Sequence, residues 1–332
     1  MKITLTDSSL RDGNHSVKHT VSLDSIQRYC EFADKVGIPI VEVGHGNGLS
    51  ASSLLIGKAV NTDKEMLTIA RKSLKASKLG IHSIPGLSTL DDIKQALDCG
   101  VDIVRVATHC TEATLSKSHI EHLSKDGTIV YGVLMMSALI TADELVEQSK
   151  IMESYGANGV IIMDSTGSYL PCDVEERITK LKNNLNVSVG FHAHNNLGCA
   201  VANSLKAAES GAEFIDVCIR GFGAGAGNAP LEIMIPVLEQ RGFKVGIDFK
   251  ETIKEADKVM SYLVPTQPVS APINILTGLK RLFSGFEKPI VAASQLHGIE
   301  YSSLIFELGN RKLVAGQEDL ILEIAQSIKN KI

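Results

Sequence analysis

The sequence predicts a (β/α)8 TIM barrel followed by a small C-terminal helical domain, and three observations support this prediction. Eight short apolar runs rich in β-branched residues recur over about 240 residues, the usual length of such a barrel. Each run is followed by a stretch with helix signals. Polar side chains follow nearly every run directly, at the ends that carry the active site in barrels of this kind.

The eight runs are continuously apolar rather than alternating, as parallel strands buried on both faces require. In chain order they are Ile3–Leu5, Ile40–Val43, Leu79–Ile84, Ile103–Ala107, Ile129–Met135, Val160–Met163, Val187–His192 and Phe214–Ile219. A doubly wound open sheet is the alternative architecture. No GxGxxG sequence follows the first run, which argues against a dinucleotide-binding version of that fold.

Helix signals lie between the runs. Thr141 and Glu144 predict a capping box at the start of one helix. Ser88 with Asp91 predicts the start of another. Helix ends are predicted at four glycines: Gly37, Gly80, Gly156 and Gly211.

The pattern of runs and helices divides the chain into two domains. Residues 1–248 are predicted to form the barrel, and residues 249–332 have no strand periodicity and are predicted to form the helical domain. Its first segment, Phe249–Leu263, is predicted to be an amphipathic helix, followed by a kinked connection at Pro265–Pro268 and Ala271–Pro272. A lid, a subunit contact and a docking surface for a partner remain open as its role.

Composition excludes several classes of function. With 33 basic and 38 acidic residues the formal charge is −5, so no basic field recruits nucleic acid. No apolar run reaches the roughly 18 residues of a membrane span. Six cysteines without a CxxC pair are typical of reduced thiols. We expect a soluble cytoplasmic protein.

Two histidines predict half of a metal site. His192 and His194 are two residues apart on a predicted strand, so their side chains point to the same face. Asp12, after the first strand, completes a set of two imidazoles and one carboxylate that suits Mn, Fe, Zn or Co. Three protein ligands leave positions open for substrate. The alternatives are two buried histidines bonded to backbone and a turn aspartate before Gly13.

Two residues beside Asp12 are candidates for catalysis. Arg11 can hold a substrate carboxylate or a developing oxyanion, or it can pair structurally with Asp12 or Glu42. His15 can act as a general base, and the alternative is a surface histidine.

Three further features of this predicted face have weaker signals. His45 and His109 also end strands and can support the site, relay protons or bond to backbone. The glycine-rich segment Gly221–Asn228 lacks the Lys-Ser/Thr of a P-loop. We expect its glycines to bring the backbone close to a ligand or to the next strand.

These motifs together resemble the DRE-TIM metallolyase superfamily and, within it, the class II pyruvate aldolases of aromatic hydrocarbon (meta-cleavage) catabolism. The similarity is carried by Ser9–Gly13, Glu42–Gly46, Arg105–Glu112, Leu134–Ser137, Met152–Gly156, His192–Asn196, Gly223–Glu232, Glu307–Arg311 and Gly316–Asp319. It spans nearly the whole chain, including the helical domain.

The resemblance implies a divalent ion, Mn²⁺ first with Mg²⁺ or Co²⁺ as alternatives, held by Asp12, His192 and His194. It implies that a 2-oxo acid chelates this ion, that Arg11 stabilises the pyruvate enolate and that His15 takes the proton of the C4 hydroxyl. The substrate-binding residues are expected to be Arg11, Ser165, His192 and Phe283, with His45 and Asn228 as supporting residues.

The implied activity is a lyase reaction that cleaves a 4-hydroxy-2-oxo acid, such as 4-hydroxy-2-oxopentanoate, to pyruvate and an aldehyde. The resemblance also implies an oligomer and an acylating aldehyde dehydrogenase as partner subunit. An acyl-CoA-dependent condensing enzyme or lyase of the same superfamily is one alternative. Asn14-His15 argues against it, because those relatives carry an acidic residue and Gln there. A non-catalytic, partner-binding barrel is the other alternative.

The chain departs from the aldolase pattern at three places. Phe283 stands where the family has a tyrosine that closes over the substrate, with Tyr301 or Tyr262 as alternative sources of the hydroxyl. Leu54–Lys58 replaces the family's aromatic and basic loop residues, and Asp164–Gly167 reads Asp-Ser-Thr-Gly rather than Asp-Ser-Gly-Gly.

Overall fold

The computed structural model describes residues 1–263, 269–311, 313–314 and 316–330. Within these residues eight parallel strands close into a barrel in sequence order, each paired with its neighbour in the chain and the last with the first. The predicted barrel is therefore confirmed, and the open sheet is excluded. The connection predicted at Pro265–Pro268 lies outside the described residues.

The strands are β1 (Thr4–Leu10), β2 (Ile40–Val43), β3 (Lys78–Ser83), β4 (Ile103–His109), β5 (Ile129–Met135), β6 (Gly159–Asp164), β7 (Ser188–Ala193) and β8 (Phe214–Val217). β1 runs five residues beyond the apolar run Ile3–Leu5 that predicts it. Its polar residues stay in the barrel wall because they have buried partners: Tyr29 Oη donates to Asp7 Oδ2 at 2.5 Å. The register shifts between Asp7 and Leu10, which marks a bulge at the end of the strand.

The helices of the described residues are α1 (Leu23–Val36), α2 (Asp63–Ser73), α3 (Leu90–Asp98), α4 (Lys117–Lys125), α5 (Ala142–Ser154), α6 (Pro171–Asn184), α7 (Ala200–Glu209), α8 (Leu231–Gln240), α9 (Phe249–Leu263), α10 (Pro272–Leu279), α11 (Glu287–His297), α12 (Tyr301–Gly309) and α13 (Glu318–Lys329). Short 3-10 turns cover Asp12–His15, Ala113–Ser116, Ser137–Leu139, Ile219–Gly221 and Ser284–Phe286. None of the described helices is long and apolar enough to cross a membrane.

Helix starts follow the predicted capping chemistry closely. Thr141 and Glu144 form the predicted capping box of α5. α3 begins one residue later than predicted, because Thr89 and Asp92 form its box while the Ser88 hydroxyl pairs with Ser83 at 2.7 Å.

Three of the four predicted helix-ending glycines have a left-handed backbone where a helix ends. Their φ angles are 83° at Gly37, 100° at Gly156 and 107° at Gly211. The prediction for Gly80 is wrong, because this residue lies inside β3, where its backbone pairs with β2 and β4.

Two large apolar cores hold the described residues together, and a third, small one is formed by Ala107, Val133, Ile161 and Met163. The larger core lies inside and around the barrel, and it includes Ala256, Val259, Met260 and Leu263 of α9. The smaller core joins α10 to α13. Phe283 packs against both cores, so it lies at the junction between the two parts of the molecule.

The helices after α9 rest on the carboxyl ends of the barrel strands. Ser284 Oγ donates to the carbonyl oxygen of Ser165, beyond β6, at 2.9 Å. Asn196 Nδ2, beyond β7, donates to the carbonyl oxygen of Asn274 at 3.2 Å. A Cβ atom at Gly278 would lie 2.8 Å from Cβ of Asn196, so glycine permits this close approach of α10. The helical part therefore covers the face on which barrel active sites lie.

Candidate metal centre and active site

The three predicted metal ligands meet at the carboxyl ends of β1 and β7. One ligand atom each of Asp12, His192 and His194 lies within 4.8 Å of the others, and all three residues are buried. His192 Nε2 and His194 Nδ1 have no hydrogen-bond partner among the described residues. The alternative of two histidines satisfied by backbone therefore does not hold. Buried imidazole lone pairs without a partner, facing a carboxylate, fit a divalent cation.

Partners behind two of these ligands fix their orientation. His192 Nδ1 lies 2.9 Å from Asp216 Oδ2, and a proton shared there leaves the Nε2 lone pair for a ligand. Asn228 Nδ2 donates to Asp12 Oδ2 at 2.8 Å, and the backbone N–H of Ala224 donates to the same oxygen at 3.1 Å. Asn228 is thus a support for Asp12, as the resemblance implies.

The protonation states suit metal binding. Burial alone would raise the pKa of Asp12, but the charges of Arg11 and of the neighbouring histidines hold it well below its usual range. Burial lowers the pKa of His194 to about 4. At neutral pH the site therefore offers an ionised carboxylate and a neutral imidazole, the forms that bind metals.

Arg11 combines structural pairing with a free donor. Its Nε donates to Glu42 Oε2 and its Nη1 to Asp12 Oδ1, both at 2.8 Å. Its Nη2 is buried without a hydrogen-bond partner among the described residues. The pairing therefore aims one edge of the guanidinium at the space beside the candidate metal ligands, where it can bind an oxyanion.

A buried chain of charges connects Arg11 to His192, and sequence reasoning assigned no role to two of its members. Arg105 Nη2 lies 2.6 Å from Asp216 Oδ2, and Arg105 Nη1 lies 3.4 Å from Glu42 Oε1. The three carboxylates of Asp12, Glu42 and Asp216 exceed the two guanidinium groups of Arg11 and Arg105 by one negative charge, and a buried negative site suits a cation. The sequence does contain a sign of this chain of charges. The apolar runs of β4 and β8 each include one charged residue, Arg105 and Asp216.

His15 lies at the end of the 3-10 turn that begins with Asp12. Burial lowers its pKa to about 4, and Asp12 and Arg11 are near enough for their charges to act on it. Its ring stands edge-on to His19, with centroids 5.3 Å apart. His15 is thus a neutral imidazole beside the candidate metal ligands, as a general base requires.

The remaining histidine candidates are bonded to their surroundings. His45 Nε2 lies 3.0 Å from the carbonyl oxygen of Gly57, and the N–H of Asn47 donates to His45 Nδ1 at 3.1 Å. His45 therefore forms a wall of the site, stacked on His19 with centroids 3.5 Å apart. His109 Nδ1 hydrogen bonds to the Thr111 hydroxyl at 2.7 Å.

Ser165 and Phe283 lie where the helical part meets the barrel. The N–H of Met136 donates to Ser165 Oγ at 2.9 Å, which leaves the hydroxyl proton of Ser165 for another acceptor. Phe283 is partly buried and contacts Phe286 in a T-shaped geometry. Tyr301 packs within the core of the helical part, and the ring of Tyr262 lies 5.8 Å from the Arg28 guanidinium carbon.

The glycine-rich segment runs directly beside the Asp12 carboxylate. A Cβ atom at Gly223 would lie 2.8 Å from Asp12 Oδ2 and 2.6 Å from Asn228 Nδ2. A Cβ atom at Gly225 would lie 3.2 Å from Cβ of Ser284. Glycine therefore lets this backbone pass between the barrel mouth and the helical part.

Two family models together match most of the chain. The family described as HMGL-like matches residues 2–259, and the DmpG-like communication domain matches residues 268–330. The first of these covers the barrel and all the site residues except Phe283.

Curated relatives match over the full length. The 4-hydroxy-2-oxovalerate aldolase of Spirochaeta aurantia is 51% identical over 99% of this chain and 97% of its own length. That of Serratia proteamaculans (strain 568) is 48% identical over 99% of both chains. Among solved structures, the carboxyl transferase domain of Rhizobium etli pyruvate carboxylase has a TM-score of 0.80 over 100% of this chain and 61% of that chain. At 14% identity the latter match shows the fold alone. The chain belongs to the HMGL-like family and, within it, to the group of 4-hydroxy-2-oxovalerate aldolases.

Proposed function

We propose that this protein is a divalent-metal-dependent aldolase that cleaves a 4-hydroxy-2-oxo acid, such as 4-hydroxy-2-oxopentanoate, to pyruvate and an aldehyde. The observation that carries the proposal is the arrangement around Asp12. Two unpartnered imidazole nitrogens face this carboxylate, and the free Nη2 of Arg11 lies beside it. Retro-aldol cleavage needs an electron sink at the ketone and a base at the alcohol, and this pocket has residues for both.

Asp12, His192 and His194 would hold the ion. When bound there, the ion would act as a Lewis acid that polarises the keto group of the substrate. Two imidazoles and one carboxylate suit Mn²⁺, and we propose it as the resident ion with Mg²⁺ and Co²⁺ as alternatives. Asp216 and Asn228 orient two of these ligands by the hydrogen bonds described above.

Arg11 and His15 divide the remaining chemistry. His15 takes the proton of the C4 hydroxyl, the C3–C4 bond breaks, and C4 leaves as the aldehyde carbonyl. The electron pair of that bond moves to C3 and gives the enolate of pyruvate, whose oxygen Arg11 stabilises through Nη2. Protonation of C3 then gives the pyruvate methyl group.

Ser165 and Phe283 are proposed to contact the substrate chain. Ser165 has a free hydroxyl proton at the end of β6. Phe283 presents an apolar ring from the helical part at the junction of the two cores. An enolate oxygen held by Arg11 and an aldehyde end near an apolar ring suit a short 2-oxo acid with an alkyl tail.

The division of the chain suits two tasks. We propose that residues 1–248 perform the chemistry and that residues 249–332 control access to it and bind a partner. The match of residues 268–330 to a communication domain supports an acylating aldehyde dehydrogenase as the partner, in an oligomeric assembly. Such a partner would consume the aldehyde that this site releases.

The test is a pyruvate-release assay on a series of 4-hydroxy-2-oxo acids, after a chelator has removed bound metal. We expect no release from the metal-free protein and recovery with Mn²⁺. Release of free CoA from an acyl-CoA and pyruvate would instead assign the condensing reaction. Absence of both reactions would leave the chain as a partner-binding barrel and would refute the proposal.

A further inference from the structure

Gly46, which follows the β2 strand and His45, hydrogen bonds to two polar side chains of the site through its backbone and lies against a third. Its carbonyl oxygen accepts a hydrogen bond from Arg11 Nη1 at 3.4 Å, and its N–H donates to His19 Nδ1 at 3.3 Å. The third side chain is His15, whose ring occupies the place that a side chain at position 46 would take.

The position of this ring matters for the proposed reaction. A general base needs the lone pair of its ring nitrogen within hydrogen-bond reach of the proton it takes. A displacement of the ring would therefore remove the base without changing the candidate metal ligands or the free donor of Arg11.

The ring of His15 also lies directly against the Cα atom of Gly46. A Cβ atom there would lie 2.6 Å from Cδ2, Cε1 and Nε2 of His15, closer than real Cβ contacts come. Gly46 is absent from the glycines with positive φ, so an alanine suits its backbone. The need for glycine at this position comes from the space that His15 occupies.

The ring cannot withdraw easily on the side of His19. The His19 ring stands edge-on to His15 and is stacked on His45, whose Nε2 is bonded to the carbonyl oxygen of Gly57. A methyl group at position 46 therefore displaces His15 from its present position rather than causing a small rotation.

We propose that Gly46 is a positioning residue that fixes the place of the His15 ring for proton abstraction from the C4 hydroxyl. The inference deepens the proposed function and rests on it for the identity of the reaction. It adds a requirement that concerns the proton transfer alone, since Arg11 and the metal ligands remain in place.

The experiment compares Gly46→Ala with His15→Ala and with a control, Gly80→Ala, whose added methyl group would meet only ordinary contacts of 3.5 Å or more. Because base catalysis contributes about 100- to 10,000-fold, Gly46→Ala should lower kcat for cleavage by about 100- to 1,000-fold. KM, metal content and hydrogen exchange at the pyruvate methyl group should change less than about threefold. The control should match the unmutated protein.

Equal loss of cleavage, methyl exchange and metal in Gly46→Ala would mean a general structural defect and would overturn the inference. Cleavage retained within about threefold would overturn it as well. A second readout does not depend on the reaction: ¹⁵N NMR of the histidine rings, with His15 assigned from its loss in His15→Gln. We expect the ring signals of His15 to shift in Gly46→Ala and to stay unchanged in Gly80→Ala. Unchanged His15 signals in Gly46→Ala would overturn the inference, whereas failure to release pyruvate would overturn only the proposed function.

Discussion

Two residues of the site bond to the protein through some of their polar atoms and leave one polar atom free. His192 bonds to Asp216 through Nδ1 and leaves Nε2, and Arg11 bonds to Glu42 and Asp12 and leaves Nη2. Burial of a polar atom without a partner costs about 1–3 kcal/mol, and a bound ion and substrate would offset this cost. At the residue scale, these two free atoms are the groups with which the proposed site would bind its ligands.

The Asp216 carboxylate is expected to strengthen metal binding through His192. Asp216→Asn removes the charge that orients the ring and should raise the metal dissociation constant by about 10- to 100-fold. Calorimetric titration of the metal-free protein with the metal ion measures this constant. The control is Asp143→Asn, because Asp143 forms an exposed ion pair with Lys180 and is not one of the site residues. Equal affinities in both variants would show that Asp216 does not support the ligand.

Substitutions can separate the proposed role of His15, the general base, from that of Arg11, which stabilises the enolate. His15→Ala should abolish cleavage but leave the metal bound and enolisation of pyruvate largely intact, because enolisation does not involve the C4 hydroxyl. Arg11→Lys should damage both reactions, since the single nitrogen of lysine cannot occupy the three positions from which the guanidinium nitrogens reach Glu42, Asp12 and the substrate. Deuterium exchange at the pyruvate methyl group, followed by NMR, distinguishes the two. Loss of exchange in His15→Ala would refute the assignment of His15.

Buried histidines are expected to lower the free energy of unfolding at acidic pH. Burial lowers the pKa of His19 to about 3. Between the ordinary value of about 6.5 and that value, the unfolded chain binds a proton that the folded chain excludes. The contribution to the free energy of unfolding is therefore complete above pH 6.5 and is lost as the pH falls toward 3.

His19→Phe keeps a ring to stack on His45 and removes this proton. The free energy of unfolding of the unmutated protein should decrease relative to this variant by up to about 1.4 kcal/mol per pH unit below pH 6. Urea unfolding of the two metal-free proteins at a series of pH values measures the difference. A difference that stays constant from pH 7 to pH 4 would contradict the low pKa.

At the scale of elements, sequence reasoning located the strands and the pair of histidines at the candidate metal centre because both follow local rules. Apolar runs predict buried parallel strands, and a spacing of two on a strand predicts that His192 and His194 share a face. The start of α3 was one residue off, because Ser88 and Thr89 offer similar caps and the partner of Ser88 comes from Ser83.

The charge chain through Arg105 could not be predicted in the same way. It joins Glu42 on β2, Arg105 on β4 and Asp216 on β8, three strands that come together only when the barrel closes. A single charged residue in an apolar strand indicates a buried partner, but the sequence does not say which partner.

Phe283 lies where the helical part meets the barrel, and its proposed contact with the substrate can be tested. A pocket with an apolar ring lacks the hydrogen bond that a tyrosine hydroxyl provides, a contact typically worth about 0.5–1.5 kcal/mol. We expect loose stereochemical control at C4 and tolerance of aldehydes longer than acetaldehyde. Phe283→Tyr should change the ratio of C4 enantiomers cleaved by several-fold.

The matched control is Phe306→Tyr, on the half-exposed face of α12 in the same helical part. Chiral analysis of the substrate that remains after partial cleavage gives the ratio. An unchanged ratio in Phe283→Tyr would remove Phe283 from the substrate pocket and return Tyr301 or Tyr262 to consideration.

At the scale of the whole molecule, the barrel and the helices after α9 meet at one face. The barrel supplies the candidate metal ligands, Arg11 and His15, and the helical part covers the same face through Ser284 and Asn274. In the proposed reaction the aldehyde would therefore form beneath the segment that matches a communication domain. This arrangement would suit transfer of a reactive product to the proposed partner subunit.

The central claim is that one divalent ion at Asp12, His192 and His194 enables pyruvate release. Titration of Mn²⁺ into the metal-free protein, with bound metal and pyruvate release measured on the same samples, tests it most directly. The account predicts that both rise together and level off at one ion per chain, and that His192→Ala at the same Mn²⁺ concentrations shows neither. Full activity without metal, or an ion bound equally well by His192→Ala, would contradict it.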